Sequence, residues 1–280
     1  MSNHNPKKTV SQQEKDLLFE TACEAARKSG EILKKYFGKK KEISFKSRID
    51  PVTNVDLQSE EIIIAVIKTR YPDHDIITEE SDFEQSGSPF RWIIDPLDGT
   101  VNFSHDYPFV SVSIALEIDG EIEIGVVYNP IWEEFFTARR GGGAFCNETR
   151  ISVSDIDILE RSLLATGFSY DVKENPYNNI AHFSHLMMHA QALRRDGSAA
   201  LNMCYCAMGR FDGYWEIRIH PWDIAAGSLI ITEAGGVVTA LDGGPLPKAK
   251  NQILASNGRI HDQLVEQIQV VQQQYKEISL

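Results

Sequence analysis

Cysteine is scarce in this chain: four in 280 residues, none in a Cys-x-x-Cys pair, and Cys204 and Cys206 stand two apart, which on a helix puts them on different faces. No disulfide framework is legible, and reduced structural thiols are expected. No stretch approaches the roughly 18 apolar residues of a membrane span. The opening Met-Ser-Asn-His-Asn-Pro-Lys-Lys lacks the apolar segment of a signal peptide, so a cytoplasmic protein with no membrane partner is expected. Basic excess is missing too. A formal net charge of -12 argues against a nucleic-acid partner, which needs a basic stripe, and suits cation binding or plain solubility.

Other motifs are absent. Gly141-Gly142-Gly143 has neither the Lys-Ser/Thr of a P-loop nor Gly-x-Gly-x-x-Gly spacing. His182, His185 and His189 fall three and four apart on one predicted helix face, but no His-Glu-x-x-His occurs, so partly buried or subunit-surface histidines are expected rather than zinc ligands. Met187, Met188, Met203 and Met208 read as core filler. There is no internal repeat, coiled-coil heptad or low-complexity linker.

What is present is alternation. Apolar residues at helical spacing predict a helix from Gln12 to Tyr36 and a second that starts with Asp56 as its cap and runs to Tyr71-Pro72; Phe45 to Asn54 is a hairpin or loop between them. Strand-like runs follow at Asp75 to Thr78, Trp92 to Ile94, Val110 to Ile118, Glu121 to Tyr128 and Glu134 to Ala138. Asp119-Gly120 is a hairpin turn signal, and the seam Arg139 to Gly143 breaks the meander. Beyond it, strands at Ser162 to Phe168, Gly236 to Ala240 and Gln252 to Ala255 alternate with helices near Ile180 to Ala190, Ser198 to Gly209, Ile224 to Ala234 and Ile260 to Lys276. This predicts an α/β (α+β) fold in one compact unit, 1–280: an α+β half over 1–145 and an α/β half over 146–280.

The informative residues are acids at predicted strand ends and helix starts. They are Asp50 and Asp56 in Asp-Pro-Val-Thr-Asn-Val-Asp, Glu79 in Glu-Glu-Ser, Asp95 and Asp98 in Asp-Pro-Leu-Asp-Gly-Thr, Glu216, and Asp223 in His-Pro-Trp-Asp. Singly each has an ordinary reading: helix cap, turn residue or solvated acid. Together they suggest more, because Asp95 ends an apolar strand and Pro96 makes the following turn rigid. Carboxylates from several segments plus a carbonyl are how an open site for a hard divalent cation is built.

Four strings, Asp50-Pro-Val-Thr-Asn-Val-Asp56, Glu79-Glu80-Ser81, Trp92-Ile-Ile-Asp-Pro-Leu-Asp-Gly-Thr-Val-Asn-Phe103 and Trp222-Asp-Ile-Ala-Ala-Gly-Ser-Leu-Ile-Ile-Thr-Glu-Ala-Gly-Gly236, closely resemble the inositol monophosphatase family. Their order and span cover nearly the whole chain. Pro51 and Pro221 depart mildly from the family pattern, and neither removes a ligand; Pro221 should help start the helix carrying Asp223.

The resemblance implies a layered αβαβα sandwich of the sugar-phosphatase type and hydrolysis of a phosphate monoester with two to three Mg2+. Glu79, Asp95 and the Leu97 carbonyl would hold one ion, and Asp95, Asp98 and Asp223 a second, with Asp50 and Asp56 close behind. Glu79 with Thr100 would orient the attacking water, Asp56 counting with the catalytic group. Amides at Gly99 and Thr100 would cradle phosphate. Asp98, Gly197, Ser198, Ala199 and Glu216 would meet the organic part, although Glu216 also reads as a solvated strand residue. Arg194, Arg195 and Arg218 either hold a second anionic group or are surface charge.

Inositol monophosphate is the expected substrate, with fructose 1,6-bisphosphate, a nucleotide 3′-phosphate or the 2′-phosphate of NADP as alternatives on the same chemistry. A homodimer and lithium inhibition are implied by resemblance alone. Two other readings compete. A covalent aspartyl phosphatase needs Asp-x-Asp-x-Thr, whereas Asp95 and Asp98 are three apart. A non-catalytic binding regulator would have no need of Glu79 and Thr100 as a pair.

Overall fold

The computed structural model describes residues 10–45, 51–83, 85–246 and 251–278; Asp50 lies outside them. Helix α1 (Gln12–Tyr36) has the predicted bounds. Ser11 caps it, its hydroxyl accepting the Glu14 amide at 3.2 Å, and Leu18, Ala22, Ala25, Ala26, Ser29 and Leu33 form the buried stripe. Strands β1 (Ile43–Phe45) and β2 (Pro51–Thr53) pair antiparallel ahead of α2 (Asn54–Arg70). The cap of α2 is Thr53, not Asp56. Asp56 stands at the third helical position and accepts the Thr53 amide at 2.9 Å, so it completes a capping box instead of opening the helix.

A seven-stranded sheet follows, built from β3 (Asp75–Thr78), β4 (Phe90–Asp98), β5 (Ser111–Ile118), β6 (Glu121–Asn129), β7 (Glu134–Arg139), β8 (Gly143–Cys146) and β9 (Thr149–Arg150), in that spatial order. The short helix α3 (Thr100–Ser104) lies between β4 and β5. Among the described residues of this sheet only β3 and β4 run parallel. The turn between β5 and β6 puts Asp119 at φ 49° and Gly120 at φ 86°, the two positive values that Asp-Gly favours. The glycine-rich seam does not end the meander. It turns β7 back into β8, and the sheet continues to Arg150.

The second sheet has the order β11-β10-β12-β14-β13, from β10 (Leu163–Thr166), β11 (Ala192–Arg194), β12 (Gly213–Ile217), β13 (Val237–Thr239) and β14 (Gln252–Ser256). Between these come α4 (Ile180–Met187), α5 (Ala199–Ala207) and α6 (Pro221–Glu233), and α7 (His261–Ile278) follows. Only Glu216 marks the central strand β12 in the sequence, because Gly-Tyr-Trp-Glu-Ile is short and comes soon after a helix. Met187 and Met188 are not core filler: they end α4 at 54% and 78% exposure, while Met203 is fully buried.

Three apolar cores separate five layers. One joins α1 and α2 to the first sheet through Leu18, Ile63, Ile67, Trp92, Ile94 and Ile114. A second fills the space between the sheets, where Ile93, Ala115 and Phe136 meet Leu201 and Met203 of α5, Ala226 and Ile230 of α6, and Tyr214 and Ile253 of the second sheet. The third seats α4 and α7 on the outer face of the second sheet through Leu186, Trp215, Leu254, Leu264 and Ile268. Strands covered on both faces read as nearly continuous apolar runs, and β4 is one: Trp92 and Ile94 enter one core while Ile93 enters the other. The order is therefore αβαβα. Among the described residues no helix is long and apolar enough to cross a membrane.

Candidate active site

Strand β4 does not stop at Ile94 as predicted. It runs on to Asp98, and its pairing with β5 shifts there, Asp95 facing Ser113 and Asp98 facing Ser111. Three steps on one strand against two on the other make a bulge at Pro96-Leu97. Proline suits it because it has no amide hydrogen to leave unpaired. The Asp95 carboxylate accepts the Leu97 amide at 3.0 Å, which stiffens the bulge from within.

The bulge opens onto a pocket of about 380 Å³ that Glu79, Asp95, Leu97, Asp98, Gly99, Thr100, Gly197, Ser198, Ala199, Glu216 and Asp223 all line. Helices α3, α5 and α6 begin at this pocket, with α2 directly behind. Helix N-termini carry partial positive charge, so they favour carboxylates and anions there.

Helix α2 supplies the scaffold. Asp56 Oδ1 accepts the Thr100 hydroxyl at 3.0 Å, and that hydroxyl also lies 3.0 Å from the Leu97 carbonyl. One turn further, the Ser59 hydroxyl donates to the Pro96 carbonyl at 2.6 Å. Glu60 accepts from the Thr78 hydroxyl at 2.6 Å, the Glu80 amide at 3.1 Å and the Ser81 hydroxyl, holding the segment on both sides of Glu79. Ser59 and Glu60 are fully buried and were not singled out from sequence. Their signal was position: polar residues three and four after Asp56 share the face that buries Ile63 and Ile67.

Asp98 crosses between the layers. It accepts the Ala199 amide at 3.1 Å, the Ala200 amide at 2.8 Å and the Ser198 hydroxyl, so it caps α5 as well as facing the pocket. Asp223, third in α6, accepts the His220 amide at 2.7 Å, and Pro221 is the first residue of that helix. Glu216 projects from β12 and accepts the Tyr214 hydroxyl. A Cβ on Gly167 would collide with the Glu216 carboxylate, which explains why the strand end opposite carries glycine.

Electrostatically the site is overloaded with acid. Burial first, then the charges of Glu79, Asp98 and Asp223, push Asp95 well above the usual carboxylate range. Burial and then Asp98 raise Asp223. Burial carries Asp98 to about 6 against the pull of its Ser198 and Ala200 hydrogen bonds, and Asp56 to about 6 against Thr53 and Thr100. Glu216 reaches about 7 through burial, with Tyr214 opposing. Of the three arginines left open by sequence, Arg195 and Arg218 line the pocket and Arg194 does not; Arg218 pairs with Asp171 at 2.6 Å.

Buried acids that raise one another's pKa fit a hard cation, whose charge would offset the repulsion and whose oxygen preference the donors match. Among the described residues, no three His, Cys, Asp or Glu side chains stand grouped as a ready metal centre; the acids line one pocket and couple through charge.

Acids and helix N-termini thus gather at one pocket of an αβαβα sandwich. A family profile described as "Inositol monophosphatase family" matches residues 14–273. The chain is 45% identical over 263 residues to an inositol-1-monophosphatase of Synechocystis sp., covering 93% of this chain and 92% of that one. It is 43% identical over 246 residues to the Nus factor SuhB of Escherichia coli strain K12, covering 87% and 92%. The structure of inositol monophosphatase from Anabaena superposes with a TM-score of 0.84 at 43% identity, over 91% of this chain and 96% of that one. The chain belongs to the inositol monophosphatase family and is a phosphoric monoester hydrolase of that type.

Proposed function

We propose that the protein hydrolyses phosphate monoesters with Mg2+, myo-inositol monophosphate being the preferred substrate, by direct attack of water. The observation that carries this reading is the Asp56 to Thr100 hydrogen bond behind a pocket lined by Glu79, Asp95, Asp98 and Asp223. Relatives named inositol-1-monophosphatase in Synechocystis sp. and inositol monophosphatase in Dictyostelium discoideum support the substrate. Fructose 1,6-bisphosphate, nucleotide 3′-phosphates and NADP are the other substrates to test.

Glu79, Asp95, Asp98, Asp223 and the Leu97 carbonyl are the residues that would hold Mg2+. When bound, Mg2+ would neutralise phosphoryl oxygens, lower the pKa of water and stabilise the leaving alkoxide. The chain does the rest by position. Thr100 Oγ, donating its hydrogen to Asp56, keeps lone pairs with which to accept a proton from the attacking water, and Asp56 then receives the hydroxyl proton. Glu79, held by Glu60 through its neighbours, fixes the line of attack. Amides of Gly99 and Thr100 receive phosphate, while Glu216, Asp98 and the Gly197 to Ala199 backbone receive hydroxyls of the polyol.

A regulatory reading is kept in view because relatives bear the name Nus factor. The buried Asp56 and Thr100 pair favours catalysis, since a binding surface needs no proton acceptor behind it. A homodimer in the cytoplasm, inhibited by lithium, completes the proposal; exposed Ile180, Met187 and Met188 on and beside α4 supply an apolar face for a second copy. Phosphate release from the substrate panel, with and without Mg2+, tests it. Metal-independent release, or none from any member, would overturn it.

A further inference from the structure

Away from the active site, α1 packs on β5 and β6, and a groove opens between it and the strands β7 and β8. The space between is a groove of about 550 Å³, larger than the active-site pocket of about 380 Å³ and within the roughly 300–1,000 Å³ typical of small-molecule sites. Phe135 and Thr137 of β7 form its floor, Phe145 of β8 one side, and Phe19 and Cys23 of α1 the other. Burial pushes the Cys23 thiol up to about 11, so it lines the groove as a neutral apolar group.

Two guanidiniums stand at this apolar groove in a chain whose net charge is -12. Arg139 lies 4.0 Å over the Phe19 ring and is committed to Asp16 at 2.5 Å. Arg27 lies 4.1 Å over the Phe135 ring and forms no ion pair among the described residues. A guanidinium flat on a ring leaves its N–H edge for a planar anion. Glu148, exposed on the following turn, is the only carboxylate lining the groove among the described residues.

We infer that this groove binds an amphiphilic anion, an aryl or alkyl group ending in a carboxylate, with the apolar part among Phe19, Phe135 and Phe145 and the carboxylate on Arg27. Phe19 and Phe145 offer ring contacts to an aromatic ligand above the buried Phe135, and charge complementarity selects the acid over its neutral analogue.

Isothermal titration of the full chain with naphthalene-1-acetate and with naphthalene-1-acetamide tests this. Saturable binding of the acid to one site is expected. Arg27→Gln should weaken the acid roughly fivefold, the scale of an exposed ion pair, and leave the amide unchanged. Thr137→Trp, which fills the floor, should abolish both, and Phe145→Ala, a milder change, should weaken both. Mg2+-dependent phosphatase activity should be unaffected by these variants. No saturable binding, equal binding to Arg27→Gln, or a change of oligomeric state on Thr137→Trp in sedimentation velocity would each overturn the inference, the last by making the groove a subunit interface.

Discussion

The hydroxyl of Thr100 lies 3.0 Å from Oδ1 of Asp56, 44 residues earlier in the chain and on a different helix. The other carboxylate oxygen of Asp56 is filled by the Thr53 amide at 2.9 Å and the Thr53 hydroxyl at 2.5 Å, so the side chain has one orientation. This fixes a proton acceptor behind the pocket without exposing it.

Thr100→Ala removes the relay while leaving Asp56 capped. Turnover at saturating substrate should fall by roughly 10²-fold, the scale of positioned acid and base catalysis, and Thr100→Ser should restore most of it. Steady-state kinetics on inositol 1-phosphate decides the point. Unchanged turnover in Thr100→Ala would remove Thr100 from the mechanism.

Glu60 reaches no substrate, yet it holds Thr78, Glu80 and Ser81 around Glu79. Glu60→Ala deletes three acceptor contacts, which should lower stability by about 3 kcal/mol at about 1 kcal/mol each. Its apparent Mg2+ affinity should drop roughly 10-fold to 100-fold, as on losing an outer partner of a metal ligand. Denaturant melts with a Mg2+ titration separate the two effects. A variant that melts lower but titrates like wild type would show that Glu60 supports only the fold.

Gly167 faces the Glu216 carboxylate with no room for a side chain. Gly167→Ala should displace Glu216 and weaken recognition of polyol hydroxyls, raising KM for inositol 1-phosphate roughly tenfold, the scale of one hydrogen bond to a charged group. Hydrolysis of 4-nitrophenyl phosphate, which has no polyol, should change little. Equal losses on both substrates would argue against Glu216 as a polyol contact.

Most of the architecture was legible because long periodic segments carry it: α1 was bounded correctly at Gln12–Tyr36 and β3 at Asp75–Thr78. What failed was local. The strand through Asp95 to Asp98 looked like a turn because proline and glycine usually mark one, and a bulge uses the same residues. Asp56 looked like a cap because Asp favours both cap and third position, and only Thr53 decides between them. The acids of the pocket stood out by type and spacing. Ser59 and Glu60 did not, because a buried polar residue inside a helix announces its partners only when the chain is folded.

His182, in α4, is fully buried. Burial, and then the neighbouring His185, hold its pKa down to about 4. A histidine whose folded pKa lies below its unfolded value of about 6.5 binds its proton more readily in the unfolded chain. Its contribution to stability is then fully present above about pH 6.5 and is lost as pH falls toward 4, at most about 3 kcal/mol. The pocket acids act in the opposite sense, since carboxylates with raised pKa repel one another less as they protonate. The difference between wild type and His182→Leu isolates the histidine. Urea midpoints measured from pH 7 to pH 4.5 should fall more steeply for wild type, because only there does the unfolded chain take up a proton at residue 182 that the buried ring does not. Parallel slopes would mean that His182 is protonated or solvated in the native protein, and the packing of α4 against α7 would need a different account.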